Sequence, residues 1–517
     1  MTVTPDRRTL GAIVVAGAFV FGVIATMNAA GYRYGVADQA FYVPAVLRHL
    51  DPSLYPQDGW LIASQAKLLI FDELFAAAHR ATGVPLPWMF FAGYVATMAA
   101  LYGALVAFGR LLYASGWTVA ALVFAATLRH RITKTGANTL EGHFHPRMLA
   151  FAIGVFALVA VMRRRTAIAI GLVAIAGVLH PTTAVFFAAW VGIALMVNEP
   201  WLRRPLGIAA AAAVIGGVLL LATGMMPLSF ARMDDRWIAA FADKDYIFPT
   251  AWSLESWLLN LLYPVIIVIA FRARTRAGVA HPREAGIVAG CLALIGIFLA
   301  TLPFVALRSA FVVQLQISRV FWMADLLAVA YVVWAISEAK WRAEPRSASP
   351  AWRAQAVVVV LALVAAGRGY YVWTVEHEGR PLVELDMPAD EWSDVSTWLR
   401  THTPKDAQVL ADLGHAFKYG TSLRASAQRD VFSEDVKDSA IAFYDRKIAL
   451  RVLERRAAWH EADADADGLI SPADRLQELA SRYDLSYVVS EQPLPLPEAY
   501  RNARFHVYGP LQRSTQR

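Results

Sequence analysis

Few side chains in this sequence can do chemistry, and most of them lie between apolar runs. Asp38 stands in Tyr32-Arg33-Tyr34-Gly35-Val36-Ala37-Asp38-Gln39-Ala40-Phe41-Tyr42-Val43-Pro44, just beyond the first run, and Asp51 and Asp58 follow it. A carboxylate there can take or steer the proton of an attacking hydroxyl; the competing reading is an N-cap for the segment after it. A second loop, 129–147, carries Arg129, Arg131, Lys134, Asn138, Glu141, His143, His145 and Arg147. Guanidinium groups match phosphate oxygens through their planar fork, so this set reads either as a phosphate cradle or as contacts to lipid headgroups. His143-x-His145 has no third ligand close in sequence and is weak evidence for zinc. His180, between two apolar runs, and Arg319, just before Val320-Phe321-Trp322, are ionisable groups near the membrane, where such groups are costly and candidates for function. Capping a helix, for His180, and snorkelling, for Arg319, are the bland alternatives.

The elements that must hold these residues follow from composition. Of 517 residues, 57% are hydrophobic and 17% charged, against roughly 25% charged in a soluble protein. The shortage of charge is confined to residues 1–373, with 30 Lys+Arg and 17 Asp+Glu, whereas residues 374–517 hold 18 and 24. The expected division is therefore a transmembrane domain, 1–373, and a soluble domain, 374–517. A single cysteine, Cys291, excludes a disulfide framework and a cysteine-based metal cluster. The net charge of +7 is no sign of nucleic acid, because most of the excess arginine flanks apolar runs.

A span needs about 20 apolar residues, and about eleven runs are candidates: 9–30, 87–109, 112–128, 147–162, 166–181, 182–198, 205–223, 251–271, 285–306, 311–335 and 355–373. The first is longer than a signal-peptide core and reads as an uncleaved anchor. The Lys/Arg bias of short loops puts the N-terminus in the cytoplasm, with Arg7-Arg8, Arg110, Arg163-Arg164-Arg165, Arg203-Arg204, the Arg272–Arg283 group and the Lys340–Arg353 group. The odd count then places 374–517 outside, in the periplasm of a Gram-negative cell, and the protein in the bacterial inner membrane. Arg129-His130-Arg131 with Lys134 is the exception, a basic cluster on the outer side. Loops 31–86, 129–146 and 224–250 are longer than a turn requires, which marks them for function. Ser64–Ala81 reads as one interfacial helix with an apolar stripe of Leu68, Leu69, Phe71, Leu74 and Phe75. The third loop, with Trp237, Phe241 and Tyr246 among mixed charges, reads as a lid or as a solvated surface helix.

In 374–517, a helix at Trp392–Thr403 stopped by Pro404, and strands near 407–413, 485–490 and 505–508, point to a small α/β domain. Asp463-x-Asp465-x-Asp467-Gly468-x-Ile470-x3-Asp474 resembles an EF-hand loop, with Asp474 where the family uses Glu. The resemblance implies a calcium ion that braces the domain; an acidic solvated linker is the alternative.

Two stretches carry a wider resemblance: Asp38-Gln39-x-Phe41-Tyr42-x-Pro44 with Asp51-Pro52-x-Leu54-Tyr55-Pro56, and Glu141-Gly142-His143-Phe144-His145-Pro146-Arg147. With an uncleaved first span, an acid in the first outer loop, interfacial helices and a C-terminal outer domain, the chain resembles the GT-C superfamily of integral membrane glycosyltransferases, in a bacterial and largely uncharacterised branch. That implies a polyprenyl-phosphate-linked sugar as donor and a lipid, glycan or protein outside the cytoplasm as acceptor. Inverting displacement would use Asp38 as base, with Gln39, Tyr42, Asp51, Asp58, Glu141, His143, His145, Arg147, His180 and Arg319 binding substrate. Many members have two adjacent acids where this chain has Asp38-Gln39, so the resemblance is to the metal-independent branch, which requires no cofactor for catalysis. Two rival readings stand beside it. A transporter or flippase of a lipid-linked glycan needs ionisable groups along a midplane path, where Asp325 is the main instance. A scaffold of an envelope complex needs neither Asp38 nor Arg147.

Overall fold

The computed structural model describes residues 7–66, 70–223, 230–339, 351–462 and 473–511. The chain is mostly helical, and the membrane part begins with α1 (Arg7–Asn28), then α2 (Gln39–Leu50), α3 (Gly59–Ala66) and α4 (Phe71–Thr82) in the first loop. It continues through α5 (Leu86–Leu112), α6 (Gly116–Thr127), α7 (Pro146–Met162), α8 (Thr166–Leu179), α9 (Pro181–Asn198) and α10 (Arg203–Ala222). After the short α11 (Asp235–Ala239) come α12 (Leu254–Arg276), α13 (Glu284–Ala306), α14 (Ala310–Gln314), α15 (Val320–Ser337) and α16 (Ala351–Tyr371). Among the described residues, eight helical segments are long and apolar enough to cross a membrane: those of α1, α5, α9, α10, α12, α13, α14 with α15, and α16. The shorter α6, α7 and α8 are also apolar.

At the centre of this bundle, α7 is buried on almost every side. Close approach is arranged by glycine: a Cβ on Gly154 would lie 2.3 Å from the Phe187 ring of α9, and one on Gly290 of α13 would lie 2.5 Å from the Trp190 carbonyl oxygen. At the end of the bundle that carries the loop before α13, Arg274 and Glu284 form a fully buried pair at 2.6 Å. Tyr331 donates to the same carboxylate at 2.9 Å, and Arg274 also donates to the Leu112 carbonyl at 2.7 Å, so one ion pair joins α5, α12, α13 and α15. Such a pair is costly to break, because either partner alone is an uncompensated buried charge.

The first loop differs from the expectation of one interfacial helix over 64–81: α3 ends at Ala66 and α4 starts at Phe71. Leu68 and Leu69 lie outside the described residues. Phe71 of α4 is buried against Tyr42, Phe75 and Phe90, whereas Leu74 is exposed. The helix thus packs on α2 through aromatic rings and shows one leucine outward.

Residues beyond α16 form a five-stranded sheet, after a short strand that returns to the first loop. In chain order the strands are β1 (Tyr32–Arg33), β2 (Arg131–Ile132), β3 (Ala137–Asn138), β4 (Val383–Glu384), β5 (Gln408–Leu410), β6 (Asp430–Val431), β7 (Tyr487–Ser490), β8 (Glu498–Arg501) and β9 (His506–Tyr508). The sheet order is β6-β5-β7-β9-β8, parallel across β6, β5 and β7 and antiparallel beyond. Strand residues alternate between its faces. Val409, Tyr487 and Val489 pack with Trp392 and Leu399 of α17 (Glu391–His402), while Leu410 and Val488 pack with Trp459 of α21 (Arg446–Ala462) and Leu479 of α22 (Ala473–Tyr483). Between β5 and α21 lie α18 (His415–Lys418), α19 (Leu423–Ser426) and α20 (Asp435–Ala442). The acidic positions Asp463, Asp465 and Asp467, and the side chain of Asp474, lie outside the described residues, in the stretch that joins α21 to α22.

This C-terminal unit is tied to the first loop at two places. β1 and β4 pair in parallel, with Tyr32 opposite Val383. Asp58 is fully buried and accepts from Arg424 Nε at 2.8 Å and from the Val431 N–H at 3.0 Å, and it also pairs with Arg451. Burial alone would raise the pKa of Asp58, but Arg424, Arg451 and Arg455 outweigh it and hold the carboxyl well below its ordinary value. Neighbouring Asp430, buried beside that charge, is pushed up to about 6.

Candidate functional site

A cavity of about 210 Å³ opens where the loops 31–86 and 129–147 meet α20 and the residues after it. Asp38 is the only carboxylate among its described lining residues. Although Asp38 sits at the N-cap position of α2, its side chain makes no capping hydrogen bond. Its Oδ2 meets His145 Nε2 at 3.1 Å and its Oδ1 accepts from Lys437 Nζ at 3.1 Å. The N-cap reading of Asp38 is therefore replaced by one in which the carboxylate is aimed at the cavity.

His145 is held in one tautomer by the helix it caps. Pro146 occupies the first position of α7, where its missing N–H costs nothing, and the next free donor, the Arg147 N–H, is accepted by His145 Nδ1 at 3.1 Å. Burial and the Arg147 charge push the imidazole below its ordinary pKa, so it is neutral near pH 7 and its hydrogen is on Nε2, donated to Asp38. For Asp38, burial opposes ionisation, but Lys437, then the hydrogen bond and charge of His145, then Arg147, hold its pKa well below the usual carboxylate range. Its side chain keeps 40% accessibility, turned to the cavity. An ionised carboxylate with two of its lone pairs engaged is weakly basic and sharply oriented. It suits alignment of a hydroxyl nucleophile better than outright removal of its proton.

The rest of the lining is cationic and aromatic. His180 caps α9 as His145 caps α7, accepting from the Thr183 N–H at 3.2 Å ahead of Pro181 at the first helical position. The two rings are 5.9 Å apart, so two helix N-termini, each with partial positive charge, end at the same cavity. Arg147 is buried, pairs with Glu141 and lies over the Trp322 ring at 6.0 Å, yet its Nε has no hydrogen-bond partner. Burial would raise the Glu141 pKa, but Arg147 outweighs it and keeps the acid ionised. Arg319 projects where the chain turns from α14 into α15, a turn in which Gln316 adopts a left-handed φ of 48°. Its buried Nε and the buried Oε1 of Gln316 likewise have no partner among the described residues. Buried polar groups are normally hydrogen-bonded, and orphaned guanidinium N–H groups beside a cavity mark it as a place for an anion.

Of the expected site residues, Asp38, Tyr42, His145, Arg147, His180 and Arg319 line this cavity, with Glu141 directly behind Arg147. His143 packs beside His145 but does not line it; burial lowers its pKa to about 4 and its Nε2 has no partner. Gln39, Asp51 and Asp58 are elsewhere, for three different reasons. Gln39 is buried and spends its amide on the Gly35 N–H and the Phe144 carbonyl. Asp51 is at the surface with Lys405 and Ser53. Asp58 is consumed by the arginines described above. Of the basic residues in the second loop, Lys134 pairs with Asp245, and His130 meets Asp325 at 3.2 Å, away from the cavity.

The sequence reading missed Lys437, Ala440, Phe443 and Tyr444, all from the C-terminal unit and all touching Asp38 or lining the cavity. Glu434-Asp435-Val436-Lys437-Asp438 reads as an ordinary solvated helix start, and no local signal in the sequence separates Lys437 from a surface lysine. Tyr444 is anchored by Gln316 Nε2, which donates to its hydroxyl at 3.0 Å, while Gln314 Nε2 donates to the Phe443 and Tyr444 carbonyls. Glutamines inside an apolar run were the legible trace of that contact. Searches against protein-family models and against curated proteins find no match to this chain.

Proposed function

We propose that the protein is a metal-independent membrane glycosyltransferase of GT-C type, which moves a sugar from a polyprenyl-phosphate donor to a hydroxyl acceptor outside the cytoplasm. The observation that carries this reading is the pairing, in one cavity, of an oriented ionised carboxylate with an anion-seeking wall. Asp38 aligns the acceptor hydroxyl for attack on the anomeric carbon with inversion and takes its proton, which becomes strongly acidic as the new C–O bond forms. Arg319, Arg147, His180 and the two helix N-termini receive the phosphate as it departs with the bonding electrons, where preorganised donors are worth most. The cavity's donor set, one carboxylate already engaged by an ammonium and an imidazole, is poorly suited to a divalent cation. In this reading the lipid, glycan or protein acceptor enters from the C-terminal unit. The acidic loop 463–474 holds calcium as a brace between α21 and α22, apart from catalysis.

Chain crossing supports an odd span count with the N-terminus inside. The cavity gathers Asp38 after α1, His145 between α6 and α7, His180 between α8 and α9, Tyr246 after α10, Arg319 at the head of α15 and Tyr444 after α16, so all these points share one side. Since α5 crosses, α6 must return, and α7 and α8 either both cross or neither does. α7 provides about 25 Å of helix at 1.5 Å per residue, and the turn joining it to α8 is Arg163-Arg164-Arg165, a cytoplasmic signature. Both crossing gives eleven spans, with the C-terminal unit on the periplasmic side of the inner membrane.

The test is transfer of label from a panel of radiolabelled polyprenyl-phosphate sugars by purified protein and by Asp38→Asn, each with and without EDTA. Turnover abolished in the variant and untouched by EDTA is expected. Lipid binding without turnover across the panel, unaffected by Asp38→Asn, overturns the reading in favour of a transporter or scaffold.

A further inference from the structure

A second, larger cavity, of about 440 Å³, lies between the membrane part and the C-terminal unit. Its volume is within the range of about 300–1,000 Å³ typical of small-molecule sites. One wall is Leu47 of α2 with Leu86 and Pro87 at the start of α5, and Tyr34 and Leu385 also line it. Trp88, exposed next to that wall, suits the level of the headgroups, where aromatic residues gather. The rest of the lining is mostly polar, with Asp386, the α17 side chains Ser393, Asp394, Thr397 and Arg400, and Gln428 beside Met387, Pro388 and Ala425.

Three features of that lining distinguish it from an accidental gap. Ser393 is 7% exposed and its Oγ has no hydrogen-bond partner among the described residues. Gln428 has a left-handed φ of 54°, a conformation that a non-glycine residue adopts at a cost. Asp386, Asp394 and Arg400 form no ion pair with one another or with any other described residue, although all three line the same space. Two carboxylates against one guanidinium disfavour a phosphate, the opposite of the Asp38 cavity. Carboxylate, guanidinium, hydroxyl and amide groups together match the mixed donors and acceptors of uncharged sugar hydroxyls.

We infer that this cavity binds a neutral glycoside amphiphile, with its sugar head against Ser393, Asp394, Arg400 and Gln428 and its apolar tail leaving past Leu47 and Leu86 into the membrane. The inference concerns binding and does not depend on transfer at Asp38. The probe is dodecyl-β-maltoside, added to full-length protein held in a sugar-free polyoxyethylene detergent, with the bound amphiphile counted by native mass spectrometry. One retained maltoside is expected on the wild type, weakened about tenfold in Asp394→Ala and in Arg400→Ala, the loss of one charge-assisted hydrogen bond. Both positions are exposed, so melting temperatures close to wild type are expected and are measured alongside. Asp38→Asn and Arg319→Ala should keep the adduct, which separates this site from the transfer cavity. Retention of the adduct by both α17 variants, its absence from the wild type, its loss in Asp38→Asn or Arg319→Ala, or equal displacement by dodecylphosphocholine overturns the inference.

Discussion

Replacing Lys437 with methionine removes the ammonium group from Asp38 while keeping most of the side-chain volume. At 3.1 Å and an effective dielectric near 20, the bare attraction is about 5 kcal/mol. Asp38 is partly accessible and keeps His145, so the net contribution is closer to the roughly 1.5–3 kcal/mol of a charged hydrogen bond, or about one to two pH units at 1.36 kcal/mol each. The sign follows from the direction of the shift. The folded-state pKa of Asp38 is depressed, so the carboxylate's contribution to stability is present above its unfolded value and is lost as the pH falls through the folded one. In Lys437→Met the acid limb of transfer activity should therefore move toward neutrality by at least about one pH unit, with little effect at about pH 7.5 and the largest effect on the acid side, where the wild-type carboxylate is still ionised and that of the variant is not. Lys437→Arg should restore most of the wild-type profile. The assay is initial rate against pH for the three proteins, with melting temperature against pH as a readout independent of turnover. An acid limb that stays in place in Lys437→Met would refute the argument that this lysine sets the ionisation of Asp38.

Asp58→Asn should lower stability by about 3–5 kcal/mol, since Arg424 and Arg451 lose their shared buried counter-charge; an unchanged melting temperature would show that this network does not hold the C-terminal unit in place. Arg319→Ala should raise KM for a polyprenyl-phosphate donor at least about tenfold, the value of one lost charged contact, and an unchanged KM would remove Arg319 from the phosphate site. Gly154→Ala places a methyl group 2.3 Å from the Phe187 ring and should cost about 1–3 kcal/mol by overpacking. Measured as a fall in melting temperature, that loss should be largely recovered in Gly154→Ala/Phe187→Leu.

The helical body was legible because a membrane leaves its mark in composition: long runs such as 285–306 and 355–373 coincide with α13 and α16 to within a few residues. Half of the site was also legible. His145-Pro146 and His180-Pro181 announce helix starts, and arginines beside apolar runs are conspicuous. The remainder was hidden because it depends on long-range pairing. Asp58 stands in the same loop as Asp38 and has the same chemistry, but Arg424 and Arg451, more than 360 residues later, turn it into a structural anchor. Gln39 was misread for a similar reason, since its amide is taken up by the Phe144 carbonyl of the next loop. The short strands β6 and β8 carry too few residues for a pattern to register.

The contact between Asp38 and Lys437 spans 399 positions of the chain, which bears on biosynthesis. Asp38 is made before α5 to α16, whereas α20 is made after them. The cavity wall is therefore complete only after the helices of the bundle have been inserted and the C-terminal unit has folded against the first loop. A chain stalled during synthesis, or clipped after α16, would carry every arginine of the membrane part and still have an Asp38 without its ammonium partner. If Asp38 acts as proposed, that function is tied to the folding of α20, and copies that lack it would be inert rather than poorly controlled.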